Sequence, residues 1–542
     1  MRRRATGELR DFKSRIDGKL HPYAVCVAGD SNEPLPVIVE VSPGAITNLP
    51  AAVETTERLA NMALEAGESC IVLRPTGCGP GSLYQNYGEV DLFESIDAIS
   101  DDYDIDRNRI SITGASMGGA ATWYLISHYP DFFSAAAPFC GYCDYRLWPK
   151  LGGTTFPRMP WEETSWKSRS AMLLAENLEH TPQWIVHGEW DRAVGGGVPV
   201  EHSRNMTRLL ESMDYPVRYT ELPNTAHDGC LDEQTLLQIV PWLLSHTKER
   251  EPDHVALTTY GLRHNSSYWL SIDQIERYGE RAFVDAGISE GQLRIKTRNV
   301  KSITIGPLPR PEDIGVTVDG QSLGSLSNGI GTVNKDFRNT WSNDGSGVCK
   351  GKHAGCSGPI SDLFFDPTIF VPGTQGTDEE TYFNKWLAQH HADRFRQQNG
   401  GLHRGGIPGE NNVEMHVITD TEISDGELGE NNIVLVGTGS TNAVLGRFQD
   451  DIPISFGHSS VSLGDKTYTS EDVAAFAVCP NPYNSSRYVG VHGGTSPDAI
   501  TWGSQLGLML LPDYIVYSGT KPLDWGFFDS NWRIDDKGSG LG

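Results

Sequence analysis

The segment Gly114-Ala115-Ser116-Met117-Gly118 has residue types and spacing suited to nucleophilic catalysis. It follows the β-branched run Arg109–Thr113 and precedes the helix-like run Ala120–His128. Between a strand and a helix, Gly-x-Ser-x-Gly is typical of a nucleophile elbow, a tight turn that exposes a serine hydroxyl at a helix N-terminus. The competing interpretation is a serine in an ordinary turn between a strand and a helix. We predict that Ser116 is a nucleophile.

A serine nucleophile needs a base to take its proton and a carboxylate to orient that base. In folds with an elbow, these groups follow the serine in the order carboxylate, then histidine. Asp191 comes shortly after the predicted strand Gln183–His187, and His227 comes shortly after the predicted strand Val217–Leu222. The carboxyl ends of parallel strands meet at one edge of a sheet. We therefore predict Asp191 as the orienting carboxylate and His227 as the base.

Three neighbouring polar residues are weaker candidates for these two roles. Glu189 is less suited than Asp191 to the turn after the strand, and Asp228 is interpreted as a loop or capping carboxylate. His187 lies inside the strand pattern, so it is interpreted as a structural histidine.

Two backbone N–H groups are needed to bind the oxyanion that forms during acyl transfer. Met117, directly after the nucleophile, is predicted to supply one of them. The second donor is expected in the loop Ser42-Pro43-Gly44-Ala45. Because proline has no N–H, Gly44 or Ala45 must donate, and we predict Gly44.

Alternating strand and helix patterns continue from Phe12 to about Lys248, which predicts a parallel sheet covered by helices on both faces. A polar stretch at 247–253 separates this region from a stretch rich in Thr, Ser, Val and Tyr. From Leu363 onward helix and strand patterns alternate again. The predicted fold class is α/β, with a catalytic domain at 1–250, a small β-rich unit at 251–310 and a further α/β-type accessory domain at 311–542.

Charge and hydropathy exclude several classes of partner. The formal net charge of −26 repels nucleic acids and anionic bilayers, so neither is expected as a partner. No run approaches the roughly 18 apolar residues that span a bilayer. The N-terminal Arg2-Arg3-Arg4 is not followed by an apolar core, so we predict no signal peptide. This predicts a cytoplasmic protein as written, or a secreted one if a leader was removed.

The nine cysteines are too few for a disulfide scaffold. Cys349 and Cys356, in a Gly-rich loop, are the candidate pair for a disulfide if the protein is extracytoplasmic. Cys140 and Cys143 form a CxxC without a second CxxC or a histidine pair, so we predict no metal and no organic cofactor.

The segment 142–177 is rich in aromatic residues and lies between two predicted strands. Tyr142, Trp161 and Trp166, together with Trp190 beside Asp191, are candidates for an apolar substrate pocket. A packed surface loop is the competing interpretation of the segment.

Residues 12–248 resemble an α/β-hydrolase of the prolyl-oligopeptidase-like esterase group. The resemblance rests on five segments in family order: Phe12–Tyr23, Tyr103–Ile110, Gly114–Gly119, His187–Asp191 and the loop around His227. It implies an α/β-hydrolase fold and a triad at the matching Ser, Asp and His. It also implies a size-gating β-propeller in true oligopeptidases, and the absence of that propeller here favours an esterase. The role of the C-terminal extension does not follow from the resemblance.

Taken together, the sequence predicts a serine carboxylesterase that works through an acyl-enzyme on Ser116. The alternatives are a serine peptidase of prolyl-oligopeptidase type and a carbohydrate (acetyl or feruloyl) or polyester esterase. A non-enzymatic scaffold is the remaining alternative. The expected partner is an ester substrate, either a small molecule or a polymer, and the C-terminal half is expected to be structural or to join copies into a homo-oligomer.

Overall fold

A computed structural model describes residues 4–29, 33–42, 48–79, 82–147, 159–192, 197–310, 313–343, 351–398 and 413–535. Two predicted residues, Gly44 and Cys349, lie outside these ranges. Within them, no helix combines the length and the apolar character that crossing a bilayer requires.

The N-terminal unit is built on an eight-stranded sheet with helices on its faces. The strand order is β1-β2-β4-β3-β5-β6-β7-β8. The strands are β1 Gly7–Lys13, β2 Leu20–Ala28, β3 Leu35–Glu40, β4 Cys70–Pro75, β5 Ile105–Ala115, β6 Ala136–Phe139, β7 Gln183–Gly188 and β8 Val217–Leu222. The helices are α1 Leu49–Ala66, α2 Tyr87–Asp102, α3 Met117–His128, α4 Glu163–Ser168, α5 Glu201–Ser212 and α6 Glu233–Leu244.

Six strands of this sheet, β3 to β8, run parallel, as the alternating pattern predicted. Strands β1 and β2 differ, because β1 pairs antiparallel with β2 and β2 pairs antiparallel with β4. A short turn between β1 and β2 gives a hairpin rather than a crossover, and a hairpin is necessarily antiparallel. The central strand β3 is buried along 36–40, so its apolar run is covered on both faces.

The β-rich unit contains two five-stranded sheets that share one core. Its strands are β9 His254–Thr259, β10 Ser266–Ser267, β11 Leu270–Ile275, β12 Ala282–Ser289, β13 Gln292–Arg298, β14 Val300–Ile305, β15 Ile314–Val318, β16 Gln321–Leu326, β17 Gly331–Lys335 and β18 Trp341–Ser342. The predicted boundary at residue 310 is wrong, because β15 pairs with β13 and β17 pairs with β14. These non-local pairings carry the unit on to Ser342.

The C-terminal unit is a seven-stranded mixed sheet in the order β20-β19-β21-β26-β25-β27-β28, accompanied by a small three-stranded sheet, β22-β23-β24. Its strands are β19 Thr368–Pro372, β20 His416–Val417, β21 Asn432–Val436, β22 Ile454–Phe456, β23 Ser460–Leu463, β24 Lys466–Thr469, β25 Val473–Asn481, β26 Asn484–Gly494, β27 Tyr514–Ser518 and β28 Lys521–Gly526. Its helices are α7 Asp378–Gln398, α8 Asp425–Glu430, α9 Ala443–Phe448 and α10 Pro497–Thr501.

Both later units pack directly on the N-terminal unit. The Asn86 amide, at the start of α2, donates to the Ser361 carbonyl at 3.1 Å. The Asn177 side chain accepts from the Thr258 N–H at 2.7 Å and donates to the Thr258 carbonyl at 2.9 Å. Since these amide groups are buried and paired across the junctions, the units are fixed to one another by specific contacts. Association of copies through the C-terminal half stays a prediction.

Candidate active site

The turn at Ser116 has the geometry of a nucleophile elbow. Ser116 has φ 59° and ψ −113°, a backbone conformation that is strained for a residue with a side chain. A Cβ added to Gly114 or Gly118 would collide with the carbonyl oxygen of Val41. Strand β5 and helix α3 can therefore approach β3 only with glycine at these two positions, which explains the Gly-x-Ser-x-Gly spacing.

The three predicted triad residues lie in hydrogen-bond contact, although 111 residues separate Ser116 from His227. Ser116 Oγ is 2.7 Å from His227 Nε2, and His227 Nδ1 is 2.6 Å from Asp191 Oδ2. A carboxylate only accepts, so Nδ1 carries the hydrogen and Nε2 of the neutral ring accepts the serine proton. This is the tautomer in which a histidine can act as a base toward serine.

Burial and hydrogen bonding shift the pKa values of His227 and Asp191 in opposite directions. The bond to Asp191 raises the pKa of His227 above its ordinary value, although partial burial opposes the change. Burial alone would raise the pKa of Asp191, but hydrogen bonds from His187 and His227 outweigh it and the pKa is lowered. The Asp191 side chain is fully buried, whereas that of His227 is 21% exposed. Asp191 is therefore a buried, ionised carboxylate, whereas His227 is partly exposed to solvent.

His187 contacts the triad, although the sequence led us to interpret it as structural. Its Nε2 lies 3.1 Å from Asp191 Oδ2 and 3.0 Å from the Val198 carbonyl oxygen. Both partners are acceptors, so Nε2 carries a hydrogen and donates to them. Ser203 Oγ lies 2.7 Å from Nδ1 and fixes the other side of the ring. The i, i+4 spacing of His187 and Asp191 around the end of β7 is the one sequence signal that could have indicated this contact.

Replacing His187 with leucine is expected to lower kcat/KM about tenfold, which corresponds to ~1.4 kcal/mol. Without this donor, Asp191 attracts the His227 proton more strongly, so the pKa of His227 rises further. The acid limb of the kcat/KM profile reports that pKa, because only neutral His227 accepts the serine proton. In the unmodified protein the limb is expected above the ordinary histidine value of about 6.5, and His187→Leu is expected to move it higher.

The His187→Gln variant is the matched control, since its amide N–H can still donate to Asp191. We expect it to recover most of the activity and to return the acid limb toward its original position. A loss of activity in His187→Leu with an unmoved acid limb would contradict the positioning role and leave only a packing role.

Met117, one of the two predicted oxyanion donors, lies at the N-terminus of α3. Met117 is the first residue of α3, and the first N–H groups of a helix have no partner within the helix. Its N–H is therefore available beside the Ser116 hydroxyl. Gly44, the predicted second donor, falls outside the described residues.

The predicted aromatic pocket is corrected for Trp161 and Trp166. Trp161 packs edge-on against Trp502 and Trp525 of the C-terminal unit, at ring distances of 6.4 and 5.9 Å. Trp166 stacks on Tyr145 in the same buried cluster. These rings belong to the core between the N-terminal and C-terminal units, which contiguous sequence does not reveal.

The other two pocket candidates differ in exposure. Tyr142 is fully buried and packs edge-on against Tyr145 at 4.9 Å. Trp190 is 53% exposed and directly precedes Asp191, while its N–H donates to the Thr225 carbonyl in the loop that carries His227. Of the four predicted pocket aromatics, Trp190 alone presents its ring to solvent beside the triad.

Two groups of described side chains bring three metal-ligand atoms within 4.8 Å of one another: His21, Cys78 and Asp91, and Cys140, Asp191 and His227. In the first group, His21 is buried between Asp17 and Asp91, and hydrogen bonds to them raise its pKa to about 9 against the effect of burial. In the second group the His227–Asp191 hydrogen bond orders the atoms. Side-chain hydrogen bonds thus join His21 to Asp91 in the first group and His227 to Asp191 in the second.

Comparison with known proteins places residues 82–250 in the prolyl oligopeptidase family. An uncharacterized secreted protein of Arthroderma benhamiae is 35% identical over 257 residues, which is 42% of this chain and 26% of the relative. The acylamino-acid-releasing enzyme of Sus scrofa is 24% identical over 200 residues, covering 32% of this chain and 26% of that enzyme. The chain thus spans about a quarter of the length of these two curated relatives.

Two similar solved structures each cover a little under half of the chain. A thermostable esterase is 26% identical and covers 45% of this chain and 63% of its own, with a TM-score of 0.35. The acylaminoacyl peptidase of Pyrococcus horikoshii is 17% identical and covers 46% and 43%, with a TM-score of 0.36.

Fold, elbow and family match define the class of the N-terminal unit: it is an α/β-hydrolase. More narrowly, residues 82–250 of this unit match the prolyl oligopeptidase family model, in line with the resemblance that the sequence predicted.

Proposed function

We propose that the chain hydrolyses carboxylic esters by acyl transfer to water, with Ser116, His227 and Asp191 as its catalytic triad. The observation that carries this proposal is the continuous hydrogen-bonded chain from Ser116 Oγ through His227 to Asp191. An isolated serine hydroxyl is a weak nucleophile, and this arrangement gives it a base already oriented to take its proton.

In the first half of the reaction, Ser116 Oγ attacks the ester carbonyl while its proton passes to His227 Nε2. The Met117 N–H stabilises the negative charge on the carbonyl oxygen, and Asp191 stabilises the imidazolium. His227 then gives the proton to the departing alkoxide, so an alcohol leaves and an acyl-enzyme remains. Water repeats the sequence on the acyl-enzyme, releasing the acid and regenerating the Ser116 hydroxyl.

Ester hydrolysis requires less assistance to the leaving group than amide hydrolysis does. An alkoxide departs readily from a tetrahedral intermediate, whereas an amine departs only after its nitrogen has been fully protonated by the general acid. A serine that cleaves amides therefore also cleaves the matching esters, but the converse does not follow. The described groups supply a nucleophile, a base and one oxyanion donor, and these suffice for the easier leaving group.

A peptidase is the second candidate function, and the comparisons favour it specifically. The family match carries the prolyl oligopeptidase description, and one relative is an acylamino-acid-releasing enzyme. Such an activity would use the same triad on a peptide or N-acylated amino-acid substrate.

A matched pair of substrates separates the two candidates: N-acetylalanine methyl ester and N-acetylalanine methylamide, with identical acyl groups and unactivated leaving groups. We expect ester turnover with kcat/KM at least about 10³-fold above that for the amide. The Ser116→Ala variant supplies the background rate for each substrate. Amide turnover clearly above the Ser116→Ala background would overturn the esterase assignment in favour of the peptidase.

The proposed acyl site lies next to Ser116. Trp190 is the aromatic ring at the rim of the triad, and we propose that it forms an apolar edge of the acyl site. Carbohydrate acetates, feruloyl esters and polyesters are the ester classes to compare with simple acyl esters.

A further inference from the structure

The C-terminal unit has a crevice where the carboxyl ends of three parallel strands meet: β19, β21 and β26. The chain leaves β19 through α7 toward β20 on one side of the sheet. From β21 it leaves through α9 and the small sheet toward β25 on the other side. The strands β19 and β21 are neighbours, so their outgoing loops diverge at this point. Such a topological switch point is where open α/β sheets bind ligands.

The crevice has a volume of about 320 Å³ and is lined by the β21 loop, the first turns of α7, the end of β22 and the segment after β26. Its wall is rich in hydroxyl and amide groups and also carries a phenyl ring and an imidazole: Asn384, Thr438, Ser440, Thr441, Thr495, Ser496, Phe456 and His458. The volume lies in the range of small-molecule sites, and the lining is more polar than that of most such sites.

Hydrogen bonds from Asp420 and Asn442 hold the loops of the crevice in position. Asp420 accepts from the Thr374 N–H at 3.0 Å and from the Ala443 N–H at 2.7 Å, so one carboxylate ties the β19 loop to the β21 loop. The buried Asn442 donates to the carbonyl oxygens at the ends of both strands, those of Val371 and Val436. The crevice is thus formed in advance and costs little ordering when a ligand binds.

The charged residues in and beside the crevice indicate which class of ligand it can bind. The first turn of α7 carries Asp378, Glu379 and Glu380, which occupy the helix end that would otherwise attract an anion. The Glu380 carboxylate lies in the wall and accepts from the N–H and the hydroxyl of Thr377. Among the described lining residues there is no lysine or arginine. A phosphate or nucleotide would therefore meet the Glu380 carboxylate, with the His458 imidazole as the one basic side chain among the described lining residues.

We propose that this crevice is a binding site for a neutral, polyhydroxylated ligand, a sugar or a sugar unit of a glycan. Hydroxyl and amide groups in the wall can exchange hydrogen bonds with sugar hydroxyls, and a carboxylate accepts them strongly. The Phe456 ring offers an apolar surface to the C–H face of a sugar ring. The site is independent of the triad, and so is the proposal.

Saturation-transfer NMR and calorimetry on the full chain test this, with glucose, galactose, mannose and N-acetylglucosamine as probes and inorganic phosphate as the anionic comparison. At least one sugar is expected to bind, with Kd about 1 mM, a value typical of small polar ligands. Ser440→Trp places a large ring in the exposed mouth of the crevice and is expected to weaken binding at least tenfold. Thr469→Trp, an equally exposed site on β24 outside the crevice, is the matched control and is expected to bind normally.

Three results would overturn the proposal: no sugar of the panel binds, phosphate binds in place of the sugars, or Ser440→Trp and Thr469→Trp bind equally well. The Ser116→Ala variant is expected to keep full sugar binding. Failure here would leave the hydrolase assignment untouched, because the readout is binding and not turnover.

Discussion

Replacing Ser116 with alanine is expected to lower kcat on the methyl ester by about 10⁵-fold, because no other described group stands in its place against His227 Nε2. The measurement is steady-state turnover, with thermal unfolding recorded alongside. The substitution removes one oxygen and leaves the backbone at φ 59° with a Cβ, as before. The folded state should therefore persist, and the loss should be one of chemistry. Ser212→Ala, at an exposed position on α5, is the matched control and should keep full activity.

A Ser116→Ala variant that is folded and retains more than about 1% of kcat would contradict the assignment of the nucleophile. It would show that the turnover comes from another group, since the hydrogen-bonded chain cannot operate without the serine oxygen.

Replacing Asp191 with asparagine is expected to lower kcat by about 10⁴-fold near neutral pH. Asp191 accepts from His227 Nδ1 at 2.6 Å, from His187 Nε2 at 3.1 Å and from the Val198 N–H at 2.9 Å. An amide has one acceptor oxygen where the carboxylate has two, so an N–H turned toward His227 would favour the tautomer protonated on Nε2. In that tautomer the ring cannot take the serine proton.

The neighbouring carboxylate gives a matched control for charge. Asp228 follows His227 in the chain and accepts no hydrogen bond from His227 in the described structure, so Asp228→Asn is expected to change kcat less than about threefold. Equal losses in Asp191→Asn and Asp228→Asn, measured from pH profiles of kcat, would show that general charge and not orientation of His227 is what Asp191 supplies.

Local patterns predicted the parts of the fold whose physics is local. The strand Val217–Leu222 has the predicted bounds, and the strand that begins at Gln183 and the helix that ends at His128 lie where they were predicted, because periodicity and flanking residues define them. The elbow was predictable for a similar reason. The turn sterically requires glycine at 114 and 118, and these positions lie within a few residues of Ser116 in the sequence.

Features that depend on distant pairing were not predictable in the same way. The second contact of Asp191, from His187, arises because the loop 188–191 folds back on the end of β7. The burial of Trp161 depends on Trp502 and Trp525, which lie more than 300 residues further along the chain. The extent of the β-rich unit is set by the pairing of β13 with β15. Apart from the i, i+4 spacing of His187 and Asp191, none of these contacts has a signal within the segment where it occurs.

Covalent labelling with a fluorophosphonate, followed by peptide mass spectrometry, tests most directly whether Ser116 is activated by His227 and Asp191. We expect the probe to label one serine, Ser116, in the protein without substitutions. We expect no labelling in Ser116→Ala or in His227→Ala. A probe attached to any other serine, or labelling that persists in either variant, would contradict this assignment.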